Sequence, residues 1–193
     1  MNTILYLIRH GETDWNQSKR IQGHSDIHLN HRGVQQAAQL AKRFEGKRIH
    51  AVYSSDLSRA RETARGIAEL MACPVSSLPG LRERCYGEWE GLTYEEIQER
   101  FRNRDEASCG IESFEEMQQR AVSALTELAL RHPGQTVAVV SHGGFINSFL
   151  HYVTNGEQGT GKTRIDNTGV STFRFVQDRW EVLQVNNTDH LEK

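Results

Sequence analysis

The stretch Ile4-Leu5-Tyr6-Leu7-Ile8-Arg9-His10-Gly11-Glu12-Thr13 decides how the chain is read. Five apolar residues without alternation predict a short strand buried on both faces, the kind found in parallel sheets. The residues just after Ile8 are poor packing material. Arginine, histidine and glycine stand where the strand ends, and in open α/β sheets ligands bind beyond the carboxyl ends of strands. An imidazole there can attack a phosphate, provided a cation holds that electrophile beside it. Taken alone, three residues are equally compatible with a surface histidine closing a strand. The rest of the chain separates the two readings.

Strand-like runs alternate with helical ones. Gly33 to Glu45 carries Ala37, Leu40, Ala41 and Phe44 on one face, which predicts a helix. Ile49 to Tyr53 reads as the next strand. Leu57, Ala60, Ala64, Ile67, Ala68 and Met71 then mark a second helix, and a short strand is expected near Val75. Thr93 and Ser113 each precede a glutamate by three residues, the capping-box spacing that opens two further helices. The second of these should run to about Arg131, ahead of Pro133-Gly134. Thr136 to Val140 is another buried strand, backed by a helix striped with Phe145, Ile146, Phe149, Leu150 and Val153. Val170 to Phe175 and Trp180 to Val185 should form a hairpin around Gln177-Asp178. This alternation predicts an α/β fold: three layers, α/β/α, with a mostly parallel sheet and a C-terminal β-hairpin. With 193 residues and no low-complexity linker, residues 1–193 are expected to form a single domain.

The ends of the buried strands carry the chemistry. After the first comes Arg9-His10-Gly11; after the second, Ser54-Ser55-Asp56-Leu57-Ser58-Arg59; after Val140, Ser141-His142-Gly143-Gly144. Parallel strands point their carboxyl ends one way, so two histidines and two arginines are expected to meet at one rim. Arg9 and Arg59 can grip phosphate oxygens with paired donors. The amides of Gly143 and Gly144, opening a helix, are expected to add donors for the same ligand. Surrounding positive charge favours neutral imidazole, leaving His10 the lone pair that in-line attack requires. Glu83, in Leu81-Arg82-Glu83-Arg84-Cys85-Tyr86-Gly87, is the best-placed acid for protonating a leaving alcohol. In isolation His142 reads as a helix-start histidine, Arg59 as an exposed helix charge and Glu83 as a surface ion-pair partner. The four-residue cluster of histidines and arginines outweighs those readings.

Composition limits the partners. A net charge of −2 and a pI near 6.5 argue against nucleic-acid or anionic-membrane binding. Cys73, Cys85 and Cys109 cannot all pair, and no C-x-x-C spacing occurs, so a cytoplasmic location is expected. The first apolar run is too short for a signal peptide or a membrane span. His24, His28 and His31 lie in a polar loop without a carboxylate or cysteine cluster, and are expected to be exposed rather than metal ligands. Trp89 and Trp180 read as core or rim aromatics, and Cys85 as packing.

These motifs resemble the histidine phosphatase superfamily, which includes the cofactor-dependent phosphoglycerate mutases, and most closely its small bacterial broad-specificity phosphatases. The likeness runs nearly end to end. It comprises R-H-G-E-T-x-x-N at Arg9 to Asn16, Gln22-Gly23, S-x-L-x-R-A-x-x-T-A at Ser55 to Ala64, and L-R-E-R-x-Y-G-x-W-E-G at Leu81 to Gly91. It closes with S-H-G at Ser141 to Gly143 and with Asn167-Thr168-Gly169. Each motif is moderately specific, and their order and spacing are highly so. The resemblance implies His10 as the phosphorylated nucleophile, Glu83 as general acid, and Arg9, Arg59 and His142 as the phosphate clamp. Asn16, Gln22, Gly23, Tyr86 and Gly143 match further substrate-contacting positions. It implies a small phosphorylated metabolite as substrate and no metal or other cofactor. A monomer or a homodimer is expected. The chain departs from the mutases between Gly91 and Ser113, where they carry a longer insert. A mutase must exclude water while a bisphosphate reorients. The short cover, with Arg100, Arg102 and Arg104 expected on a solvated helix, therefore favours hydrolysis, with mutase activity as the alternative.

Two rival readings remain. Gly156-Glu157-Gln158-Gly159-Thr160-Gly161-Lys162-Thr163 satisfies the P-loop pattern of an NTP-binding protein. A P-loop needs a strand before it and a helix after it; here the order is reversed, and a flexible loop is expected. A non-catalytic phospholigand-binding module would keep the arginines but has no use for the His10 and Glu83 pair.

Overall fold

A computed structural model describes residues 2–191. Six strands form one sheet in the order β3-β2-β4-β1-β5-β6. They are β1 (Thr3–Arg9), β2 (Ala51–Ser54), β3 (Val75–Ser77), β4 (Thr136–Ser141), β5 (Val170–Val176) and β6 (Arg179–Asn187). β1 runs parallel to β4, and β2 parallel to both β4 and β3. β5 is antiparallel to β1 and to β6. The helices are the single turn α1 (Asp14–Gln17), α2 (His31–Arg43), α3 (Ser58–Leu70), α4 (Tyr94–Arg100), α5 (Phe114–Arg131) and α6 (Gly143–Val153).

The unbroken apolar runs follow from burial on both faces. Because side chains alternate along a strand, Leu5, Leu7, Val137 and Val139 pack with Leu125, Leu128, Phe145 and Phe149 from α5 and α6. Ile8, Ala138, Val140 and Val52 pack on the other side with Leu40 of α2, Phe44 at its C-terminal cap, and Ala64 and Ile67 of α3. Two separate cores thus sandwich the sheet, the expected three-layer α/β/α arrangement. The hairpin turns at Gln177 and Asp178, both at positive φ (49° and 57°), the backbone pair that matches strand twist in a two-residue turn. Among the described residues no helix is long and apolar enough to cross a membrane.

Local boundaries differ in instructive ways. Ile49 is buried but lies ahead of β2. α2 begins at His31 because Asn30 caps it, its Oδ1 accepting from the Gly33 amide at 2.8 Å. Gly33 therefore sits inside the first turn, where a Cβ would meet the Glu12 carbonyl oxygen at 2.1 Å. Only glycine lets α2 press against the loop following His10. The boxes at Thr93 and Ser113 form as expected, and a third at Thr13 uses Asn16 in place of the usual glutamate. The segment 156–163 consists of turns and bends after α6 and precedes no helix; Lys162 Nζ donates to the Gly156 carbonyl within it.

Candidate active site

Three strand ends and one irregular segment build the site. β1 delivers Arg9 and then His10, β2 delivers Ser55 and, at the start of α3, Arg59, and β4 delivers His142 ahead of α6. Glu83 and Tyr86 come from the irregular segment after β3. A cavity of about 170 Å³ is lined by Arg9, His10, Asn16, Gln22, Gly23, Arg59, Glu83 and Tyr86, together with Arg20 and Ile21. His142 lies against it, its ring centroid 5.1 Å from that of His10, and Gly143 abuts the Arg9 side chain. All ten residues singled out in the sequence are therefore brought together.

The protonation state of His10 is legible from one contact. Its Nδ1 lies 2.7 Å from the Gly11 carbonyl oxygen, which can only accept, so Nδ1 carries the proton and Nε2 the lone pair. Burial, followed by the charges of Arg59 and Arg9, lowers its pKa well below the ordinary 6.5. The loop is pinned around it. The Gly11 amide donates to Thr63 Oγ1 at 2.9 Å and Asn167 Nδ2 donates to the His10 carbonyl at 3.0 Å.

Arg59 is wholly buried rather than an exposed helix charge. Its terminal nitrogens donate to the Ser25 and Gly23 carbonyls, each at 2.8 Å. Burial lowers its pKa to about 10, still charged at neutrality. Arg9 donates to the Ile165 carbonyl at 2.6 Å. Arg9 Nε, Arg59 Nε and His142 Nδ1 are buried and have no partner among the described residues. Orphaned buried nitrogens are costly, and native proteins keep few of them. Three clustered about a neutral imidazole form a cradle for an oxyanion. Among the described residues no cluster of three or more His, Cys, Asp or Glu is placed to hold a metal ion.

The start of α6 departs from expectation. The Gly144 and Phe145 amides do not wait for a ligand; they donate to the two oxygens of Glu83 at 2.9 Å each, and the Arg84 amide adds a third bond. A Cβ at Gly144 would stand 2.5 Å from Glu83 Oε1. The glycine admits the carboxylate and not, as the sequence suggested, a phosphate.

Glu90 and His24 contribute although the sequence assigned neither of them a role in the site. Glu90 accepts from the His24 amide, the Ser25 amide and hydroxyl, and the Tyr86 amide at 2.6–3.2 Å. It thereby ties the loop that holds Arg59 to the loop that carries Tyr86. His24, expected to be exposed, is half-buried, with Nε2 2.8 Å from the Glu83 carbonyl; His28 and His31 are exposed. Asn16 spends its oxygen on the α1 cap, leaving its amide nitrogen for a ligand. Gln22 Oε1 is buried and unpartnered. Burial and the Glu83 charge raise the Tyr86 pKa to about 12, keeping the phenol protonated.

Comparison with known proteins agrees with this fold. The chain is 35% identical to the metal-independent phosphoserine phosphatase of Arabidopsis thaliana, over 98% of this chain and 83% of that protein. It is 37% identical to phosphoglycerate mutase-like protein 4 of the same plant, over 98% and 87%. A phosphoserine phosphatase mutant from Entamoeba histolytica, solved with phosphoserine, superposes with a TM-score of 0.85 at 32% identity, covering 98% of this chain and 100% of that one. Phosphoserine phosphatase from Entamoeba has also been solved with 3-phosphoglyceric acid. The family model of the histidine phosphatase superfamily, branch 1, matches residues 5–188, and the chain belongs to that family.

Proposed function

We propose that this protein hydrolyses small phosphate monoesters, without a metal, through a phosphohistidine on His10. One observation carries the reading: a neutral imidazole with a free Nε2 lone pair stands among three unpartnered buried donors. In the first step Nε2 attacks phosphorus, the P–O bond to the leaving group breaks, and Glu83 gives that oxygen a proton. In the second, water attacks phosphorus, Glu83 takes a proton from it, the P–N bond breaks, and inorganic phosphate leaves with His10 restored. Arg9, Arg59 and His142 hold the transferred group and offset its charge. Asn16, Gln22, Gly23, Tyr86 and Gly143 border the rest of the substrate. The phosphatase relatives and the Entamoeba complexes support a small phosphorylated metabolite as substrate. Three free cysteines support a reducing cytoplasm. The one continuous sheet supports a single domain over 1–193; a monomer or a homodimer is part of the same proposal.

Mutase activity is the second reading, favoured by the mutase-like relative. Against it, the cover is thin: the expected helix ends at Arg100, leaving Arg102 and Arg104 beyond it, all three arginines are exposed, and Arg104 is engaged by Glu88. The test is a panel of phosphate monoesters, phosphoserine included, assayed with EDTA for released phosphate beside 2-/3-phosphoglycerate interconversion. The expected result is phosphate release, a trapped phosphohistidine, and a loss of roughly 10⁴–10⁶-fold in His10→Asn. Interconversion stimulated by 2,3-bisphosphoglycerate with little phosphate released would establish the mutase instead.

A further inference from the structure

Ser55 is wholly buried at the carboxyl end of β2, beside His142 at the end of the adjacent strand β4. Its backbone is fixed there, the amide donating to the Val140 carbonyl at 3.0 Å. Its Oγ lies 2.7 Å from His142 Nε2. The same oxygen accepts from the Leu57 amide at 3.4 Å. Among the described residues the Ser55 hydroxyl proton has one acceptor within reach, and it is Nε2. Were Nε2 protonated instead, that hydroxyl would be buried with its proton unpaired, which buried polar groups in native proteins rarely are. Nε2 is therefore the acceptor, and a neutral His142 carries its proton on Nδ1. Burial, then Arg59, His10 and Arg9, lower its pKa and hold it neutral. Nδ1 is the buried, unpartnered nitrogen noted above.

We propose that Ser55 is a positioning residue that locks His142 as the Nδ1–H tautomer, so that this proton is offered to the phosphoryl group at His10. The hydroxyl donates to Nε2, and Nδ1–H is then directed at an oxyanion. The identity of that oxyanion rests on the functional reading above; the tautomer does not. A neutral donor here has a chemical advantage over an imidazolium. It stabilises charge on the transferred group without adding a third cation beside a nucleophile that must stay unprotonated.

The experiment is long-range ¹H–¹⁵N spectroscopy of the ¹⁵N-histidine-labelled protein, with His142 assigned by its loss in His142→Asn. The wild type should show a protonated Nδ1 and an unprotonated Nε2, and orthovanadate should shift the Nδ1 signal. Ser55→Ala should mix or invert the tautomers. It should weaken orthovanadate binding and lower kcat roughly tenfold, short of the roughly 100–1,000-fold seen when an oxyanion donor is removed outright. Ser55→Thr should restore both the Nδ1–H signature and the binding. An Nε2–H tautomer in the wild type overturns the proposal whether or not the Ser55 variants fold. So does a Ser55→Ala protein that keeps the Nδ1–H form with unchanged vanadate affinity. The expected tautomer in a protein without phosphatase activity would sink the functional reading and leave the lock standing.

Discussion

At His10 a single carbonyl decides the chemistry, because the Gly11 oxygen takes the Nδ1 proton and leaves the lone pair on Nε2. The sequence announces the nucleophile, since a histidine between arginine and glycine at a strand end has little packing use. It does not announce the tautomer, which depends on where one ring and one backbone oxygen come to rest. Glu83 shows the same division. Its residue type and place in the chain marked it as an acid, whereas two of its three amide bonds come from α6, some sixty positions later. If Glu83 protonates the leaving oxygen, Glu83→Gln should slow alkyl phosphates by roughly 100–10,000-fold. p-Nitrophenyl phosphate, whose leaving group needs little proton assistance, should lose far less in phosphorylation. Single-turnover rates on both substrates measure this, and an equal loss would remove Glu83 from the proton-transfer role.

Secondary-structure elements were the most legible scale, for reasons visible in particular segments. β4 reads as a strand because every residue from Val137 to Val140 faces one of two cores. α5 was bounded correctly because Ser113 and Glu116 cap one end and Pro133-Gly134 lie just beyond the other. Loops were not legible in this way. Gly23 to Ser25 has no periodicity, yet its carbonyls fix Arg59, and Glu90 holds that loop through three of the four hydrogen bonds it accepts. Nothing in local sequence links positions 23–25 to position 90. The consequence is testable. Glu90→Ala leaves three amides and a hydroxyl to find new partners, so it should cost about 1–3 kcal/mol of stability. It should also raise KM and weaken vanadate inhibition more than it lowers kcat, because the loop orients Arg59 for binding and does not enter the proton transfers. Urea unfolding and steady-state kinetics on the same variant check both parts. A destabilised protein with an unchanged KM would show Glu90 to be scaffold only.

On the scale of the whole molecule, the site is a junction. Two cores pack the sheet from opposite sides and leave their polar remainder at the rim, where His10, Arg59 and His142 are almost wholly withdrawn from water. The sequence indicated that these residues converge, through the shared direction of parallel strands. It could not indicate the depth of their burial, since Arg59 on a helix reads as a surface charge until α3 is packed. That depth has a cost measurable far from any substrate. His10 and His142 have folded-state pKa values held well below 6.5, chiefly by burial. In the unfolded chain they titrate near the ordinary value. Below about pH 6.5 the unfolded state therefore binds more protons than the folded state, and stability must fall as pH falls. Each imidazole contributes at most about 1.4 kcal/mol per pH unit through this window. His190, partly exposed and lowered to about 4, adds in the same direction but less, because solvent screens it. The measurement is the urea midpoint between about pH 5 and pH 7.5 for the wild type and for His10→Asn/His142→Asn. Every other titrating group is common to both proteins and largely cancels in the comparison. The wild type should lose stability more steeply on acidification than the double variant, and parallel pH profiles would mean that the two imidazoles are not buried in their neutral form.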